Sequence, residues 1–262
     1  MKDIIVTKNL YKEYLINIKY DMMGKLTSDK IVVLKGIDFT IKEGEFISIM
    51  GHSGAGKSTF MNLISTIDTP SKGTVIIDGE NFKELTERKL GKLRYEKIGF
   101  VFQEFNLIDG LTVRENIAVP LTLKNVPLEE IDKRVNKVAK RLSIDELLNK
   151  YPSQCSGGQI QRVAISRALV AKPKIIIADE PTGNLDSKNS NEVMKLFKEL
   201  NERDGITILM VTHDSLTASF AHKVLYIKDG IIEKTIERKG KKQKEFFEDI
   251  LKISSEEIVF ED

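Results

Sequence analysis

Residues Gly51 to Ser58 read GHSGAGKS, a glycine-rich run closed by a lysine and a serine. Glycines let successive backbone N–H groups wrap a polyphosphate, the Lys57 ammonium places a positive charge on its β- and γ-phosphates, and the Ser58 hydroxyl can ligate Mg²⁺. The context suits that chemistry, because FISIM before the run reads as a strand and STFMNLIST after it as a helix. The phosphate-binding stretch is expected to comprise Gly51, His52, Ser53, Gly54, Ala55, Gly56, Lys57, Ser58 and Thr59, with His52 at a free position of the motif and facing solvent.

A second constellation follows about 120 residues later, where KIIIADE reads as a buried strand ending in two acids. Asp179, at the strand end, is placed to hold Mg²⁺, and Glu180 points past it to where an attacking water would sit. Gln103, after the strand in GFVFQEFN, offers an amide to metal or water. His213 ends ITILMVTH at a strand C-terminus, where ligand sites of α/β sheets gather, and suits a switch or γ-phosphate role; His222 reads as structural.

A third feature needs a reason of its own. In YPSQCSGGQIQRVAISRAL a serine and two glycines precede a helix, so Ser156, Gly157, Gly158 and Gln159 present a hydroxyl and unhindered N–H groups at a positive dipole end. Two anion-binding helix starts in one domain need two phosphate ligands or one that is shared. The stretch belongs to a helical segment whose connections place it away from Gly51–Ser58, so its natural ligand is a nucleotide held by another copy.

These groups must be positioned by a mixed scaffold. IIVTKNLYKEY, IVVLKGIDFTI, EFISIM and GTVIIDG read as strands bounded by Gly and Asp turns. From about 84 to 166 the pattern becomes helical, as in EEIDKRVNKVAKRL, and a helical subdomain is expected there. KIIIADE, ITILMVTH and KVLYIKDG then read as buried parallel strands, with a hairpin turn at Asp229-Gly230. The tail from Lys239 is charged and carries EFFEDILKI, one or two turns of amphipathic helix expected to rest on its own domain, with a partner-binding helix as the alternative.

Composition narrows the partners. Among 262 residues, 41 Lys and Arg stand against 39 Asp and Glu, a balance too even to argue for nucleic acid. No apolar run approaches the roughly 18 residues of a membrane span, and no secretion signal is visible at MKDIIVTKNLYKEY. The one cysteine, Cys155, excludes an internal disulfide and fits a reducing cytoplasm.

Taken together, the motifs resemble those of ABC-transporter nucleotide-binding subunits in order and spacing. Walker A lies at Gly51–Ser58, the Q-loop at Gln103, the signature CSGGQ at Cys155–Gln159, Walker B at Ile175–Glu180, the D-loop GNLDS around Asp186 and the H-loop at His213. The resemblance covers about Lys2 to Glu237 and implies an α/β fold: a P-loop NTPase (RecA-like) core, an N-terminal antiparallel β-subdomain and an inserted α-helical subdomain. It implies one ATP-binding domain over residues 1–237 with a helical extension over 238–262. It also implies ATP and Mg²⁺ as ligands and a head-to-tail homodimer that sandwiches two ATP molecules, each between one chain's P-loop and the other's Ser156. Asp186 is carried over as a D-loop contact, and Tyr14, with Tyr11 a close competitor, as the aromatic that stacks on adenine.

Within the family, FVFQEFNLIDGLTVRENIAVPL and DEPTGNLDS look like the subgroup of lipoprotein-release, macrolide-export and antimicrobial-peptide transporters. THDSLTASFAHKVLYIKDG followed by EFFEDILKI is most similar to ATPases of bacitracin-type peptide resistance. The implied role is an ATPase at the cytoplasmic face of the membrane, driving a separate integral-membrane permease. Phe105, Leu107, Ile108 and Leu111 are expected to form the docking surface, as apolar residues of a loop. Two features depart from the family pattern: Cys155 stands where leucine is usual, and the segment between Tyr14 and Val33 is longer than usual. A lone cassette argues against a ribosome-associated relative, and the CSGGQ motif argues against a metabolic P-loop kinase; a cell-division ATPase differs only in its partner.

Overall fold

The computed structural model describes residues 2–20 and 26–255; residues 1, 21–25 and 256–262 lie outside the described residues. In chain order the strands are β1 (Asp3–Tyr20), β2 (Leu26–Lys42), β3 (Phe46–Met50), β4 (Lys72–Ile77), β5 (Glu80–Asn81), β6 (Ile98–Phe102), β7 (Ile175–Asp179), β8 (Thr207–Val211), β9 (Lys223–Lys228) and β10 (Ile231–Glu237). The α-helices are α1 (Lys57–Ile64), α2 (Glu87–Lys97), α3 (Val113–Leu123), α4 (Leu128–Arg141), α5 (Gly157–Val170), α6 (Ser187–Asp204), α7 (Ser215–Ala218) and α8 (Gln243–Ser255).

Two sheets organise the chain. One is antiparallel in the order β2-β1-β4-β5, and the other runs β10-β9-β3-β8-β7-β6, parallel except for β10. The parallel strands are short continuous apolar runs because both sheet faces are covered. Alternate residues divide between two cores: Phe46, Ile176, Ala178, Ile208 and Met210 pack with α3 to α6, whereas Ile47, Ile49, Ile175, Ile177, Leu209 and Val211 pack with α1 and the antiparallel sheet. The expected α/β architecture is the one observed. Asp229 and Gly230 both take positive φ, 47° and 80°, as the tight β9–β10 hairpin requires.

Three features refine the sequence pattern. The span from about 84 to 166 is not helical throughout, because Ile98–Phe102 forms the edge strand of the parallel sheet and α2 buries Leu90 and Leu93 in the core shared with α1. The extra length after Tyr14 prolongs the β1–β2 hairpin, with Tyr14 opposite Ile31 and Ile16 opposite Asp29. Helix α8 seats Phe246 and Ile250 against Met50, Ala218, Val224 and Tyr226, so it rests on its own domain, and it is longer than the one or two turns the motif suggested.

One carboxylate ties distant parts of this scaffold together. Asp78, almost fully buried, receives Lys2 at 2.6 Å, Lys97 at 2.8 Å and Lys174 at 2.7 Å, joining the first strand, the end of α2 and the entry to β7. Burial pushes its pKa up, but the hydrogen bonds from Lys174, Lys2 and Lys97 outweigh it and hold the carboxyl well below the usual range. A pKa lower in the folded than in the unfolded chain gives stability that is complete above about pH 4 and is lost as pH falls through the folded value. Asp78→Asn is expected to cost about 2–3 kcal/mol at neutral pH, from charge-assisted hydrogen bonds lost by three lysines. Urea unfolding at neutral pH should show that gap, and it should narrow in acid; identical neutral midpoints would contradict the assignment.

Candidate active site

The loop from Gly51 to Gly56 joins the end of β3 to the start of α1. Gly51 has φ 147°, and a Cβ there would lie 2.1 Å from the Ile227 carbonyl, while one at Gly56, φ 101°, would strike Leu34 and Val33. Only glycine fits either place. No side chain caps α1, so its first N–H groups are left for a ligand. Lys57 curls back over the loop, donating to the carbonyls of Gly51 at 2.8 Å and His52 at 2.9 Å. Burial lowers its pKa, against the opposing pull of Glu180 and Asp179. Ser58 is exposed, and His52 faces solvent as expected, its Nδ1 near the Ser53 carbonyl.

At the rim of this loop the two tyrosines separate. Tyr14 is partly exposed and donates its phenol to Asp68 at 2.7 Å, with Thr59 beside it. Burial raises the phenol's pKa and Asp68 adds to that rise. Both rings carry an ammonium, Lys12 at 4.7 Å over Tyr14 and Lys72 at 5.1 Å over Tyr11.

The acids arrive on adjacent parallel strands. Asp179 pairs with Val211 in the β7–β8 register, so the residues that follow, Glu180 and His213, emerge side by side. Burial pushes the Asp179 pKa up, the Glu180 charge adds to this, and Lys57 pulls the other way. Glu180 Oε1 lies 2.9 Å from His213 Nδ1. A carboxylate can only accept, so that nitrogen carries the proton in the bond. Glu180 also has φ 45°, an unusual value for a residue with a side chain, held by its N–H on Val211 O and its own carbonyl on the Gly183 N–H.

The second helix start sits elsewhere. Helix α1 belongs to the core with the antiparallel sheet, whereas α5 packs on α3, α4, α6 and β6. Its N-terminus is not bare, because Ser156 and Gln159 form a capping box: Ser156 Oγ accepts from Gln159 N and Gln159 Oε1 accepts from Ser156 N at 2.9 Å. The Ser156 hydroxyl keeps its own proton to donate. Gly158 lies against the Asn189 side chain of α6, where a Cβ would push the amide aside, and Gly157 faces the Asn184–Leu185 turn. Cys155 is half-buried on the helical core, where burial raises its thiol pKa, so apolar packing accounts for it at this position.

Two residues of the expected site are engaged locally. Asp186 caps α6, accepting from Asn189 N at 2.9 Å and Asn189 Nδ2 at 2.6 Å; these two bonds hold its pKa down. Gln103 lays its side-chain amide against Gly183, in the loop preceding α6, and its backbone carbonyl accepts from Asn184 Nδ2 at 3.0 Å.

The docking loop needs correction. Leu107 packs against the helical core and Phe105 is half-buried, its carbonyl held by Arg167 together with that of Asn106. Of the four expected residues Ile108 is exposed, and Leu123, outside the loop, is exposed too and lines a groove of about 280 Å³ with Tyr95, Phe100, Phe102 and Pro120. Phe100 and Phe102 stack there, rings parallel at 5.7 Å.

Motif reading missed Asp68, Arg167, Asn189 and Gln161, which hold the recognised residues. Arg167 and Gln161 carried a signal, since each is a polar residue in the apolar stretch IQRVAISRALV; Asp68 and Asn189 lie in polar surroundings and carried none. Among the described residues no group of three His, Cys, Asp or Glu is arranged to hold a metal, and no helix is long and apolar enough to cross a membrane.

Comparison with known proteins matches these features. The family profile described as ABC transporter covers residues 34–183. The ABC transporter ATP-binding protein YxdL of Bacillus subtilis is 44% identical over 255 residues, 97% of this chain and 95% of its own. The bacitracin export ATP-binding protein BceA of Halalkalibacterium halodurans is 45% identical over 224 residues, 86% of this chain and 88% of its own. A dimeric structure of the ATP-binding cassette MJ0796, in a post-hydrolysis state bound to ADP and Pi, superposes with TM-score 0.78 at 44% identity, covering 89% of this chain and 98% of that one.

Proposed function

Since the chain belongs to the ABC transporter family and is an ATP-hydrolysing subunit of it, we propose that it works as a head-to-tail homodimer at the cytoplasmic face of the membrane, driving a separate permease in bacitracin-like peptide resistance. The observation that supports the dimer is that the uncapped start of α1 and the start of α5, where the Ser156 hydroxyl keeps a proton to donate beside Gly157, are seated in different packing units. ATP is then gripped by the Gly51–Thr59 loop of one chain and by Ser156, Gly157, Gly158 and Gln159 of the other, with Asp186 near the junction through its hold on α6.

Each residue then has a task. Loop N–H groups and Lys57 neutralise the phosphates, and Tyr14 offers its ring to adenine. The donor set of a hydroxyl, a carboxylate and an amide, beside a glycine cradle, fits Mg²⁺: Ser58, Asp179 and Gln103 would hold it, and when bound it supplies charge on the phosphate oxygens. Glu180 takes the proton of the attacking water, and His213 orients that carboxylate through its Nδ1–H. ATP and water become ADP and phosphate. The ATP-binding domain spans 1–237, and 238–262 forms an extension.

The Phe100–Phe102 groove with Leu123, together with exposed Ile108 two residues after the groove-lining Asn106, is the surface offered to the permease, since apolar area of this kind marks a partner. The identity with BceA supports the peptide class. In cells lacking the chromosomal copy, the wild-type chain should restore growth on bacitracin. Leu123→Glu with Ile108→Glu should not, although the purified variant keeps its ATPase activity and its melting temperature. Protection against macrolides alone would overturn the peptide class, and full protection by the double variant would overturn the docking surface.

A further inference from the structure

Gln161 is fully buried on α5, about one turn past the Ser156 start, and its Nε2 donates to the carbonyl of Pro181. The orientation of the amide is fixed by chemistry, because a proline carbonyl only accepts and the opposite face of the amide would repel it. Its Oε1 finds no partner among the described residues. Burying an amide for one bond is costly, so the bond is not incidental packing.

Pro181 follows Glu180, whose φ of 45° is strained for a residue with a side chain, and more so before proline. Such strain persists only where the surroundings over-determine it. Three bonds do so here: Glu180 N–H to Val211 O, Gly183 N–H to Glu180 O, and Gln161 Nε2–H to Pro181 O. The first two come from the sheet and from the turn itself. The third alone comes from the helix whose start carries Ser156. We propose that Gln161 is a positioning residue for hydrolysis, clamping the 180–181 turn so that Glu180 stays aimed at the attacking water. This rests on the reading of Glu180 as the base. It also makes α5 one rigid link between Ser156, which serves the partner's nucleotide, and Glu180, which serves the chain's own.

Gln161→Met keeps the volume and removes the donor. The full-length variant should melt as the wild type does, bind ATP with KM within about threefold, and lose about ten- to a hundredfold in kcat, the cost of a misplaced catalytic group. It should also accumulate the ATP-bound dimer on gel filtration, which a merely loosened fold would not do. Near-wild-type kcat, or joint loss of ATP binding and hydrolysis, overturns the clamp. Should Gln161→Met fail to fold, Gln161→Glu decides: its neutral carboxyl donates to Pro181 O and its charged form cannot, so kcat relative to wild type should fall between about pH 6 and pH 9. A constant ratio overturns the proposal. Glu180→Gln separates this failure from that of the underlying reading: if it stays active, the base assignment falls, and if it is inactive while Gln161→Met is normal, only the clamp falls.

Discussion

Glu180→Gln binds ATP as the wild type does and loses about 10²–10⁴ in hydrolysis rate, the usual worth of a positioned general base. The substitution preserves shape and the capacity to accept from His213 Nδ1, so the 2.9 Å contact and the strained backbone at this position have no reason to change. What disappears is a carboxylate able to take a proton. Nucleotide affinity resides in the loop and Lys57, which the substitution leaves alone. Bound ATP therefore accumulates, and with it the closed dimer, visible as a shift on gel filtration when ATP is added and its absence when ADP replaces it. Turnover within about tenfold of wild type would remove Glu180 from the role of base.

Much of this site was readable before the fold was known, for a physical reason. Where the backbone itself binds the ligand, as from Gly51 to Gly56, residue type is dictated locally: a Cβ at Gly51 has no space beside Ile227, and that exclusion is written as a glycine. Strand ends that deliver Asp179, Glu180 and His213 were legible because buried parallel strands are unbroken apolar runs whose last polar residue marks the edge.

The supporting contacts were not legible, since each joins residues far apart in sequence. Nothing near Pro181 announces that Gln161 will reach its carbonyl, or near Phe105 that Arg167 will hold it. The docking loop illustrates the limit. Its four apolar residues look alike in EFNLIDGLTV, yet Leu107 turns inward to the helical core and Ile108 outward, a choice made by tertiary packing. Likewise the span from about 84 to 166 reads as helical because α2 to α5 dominate it, and the five residues of β6 are recognisable as sheet only once β7 lies beside them. Ser156 and Gln159 were read as a bare helix start, but the same two side chains satisfy each other as a cap.

The central claim is that one nucleotide is completed by two chains. Lys57→Ala removes the charge held against the phosphates, and Ser156→Arg sets a bulky cation in the partner's half of the site. Each chain alone should be nearly inactive, because every site in either homodimer carries a lesion. In the mixed dimer one site carries both lesions and the other carries none, so activity returns. Random pairing makes half the dimers mixed with one intact site of two, giving at most about a quarter of wild-type activity if sites act independently in a two-fold dimer. ATPase activity of the mixed chains, measured against each chain alone, is the direct test. Recovery toward that ceiling is the expected result; no recovery, from mixed dimers that also fail to close on ATP, would contradict the shared site.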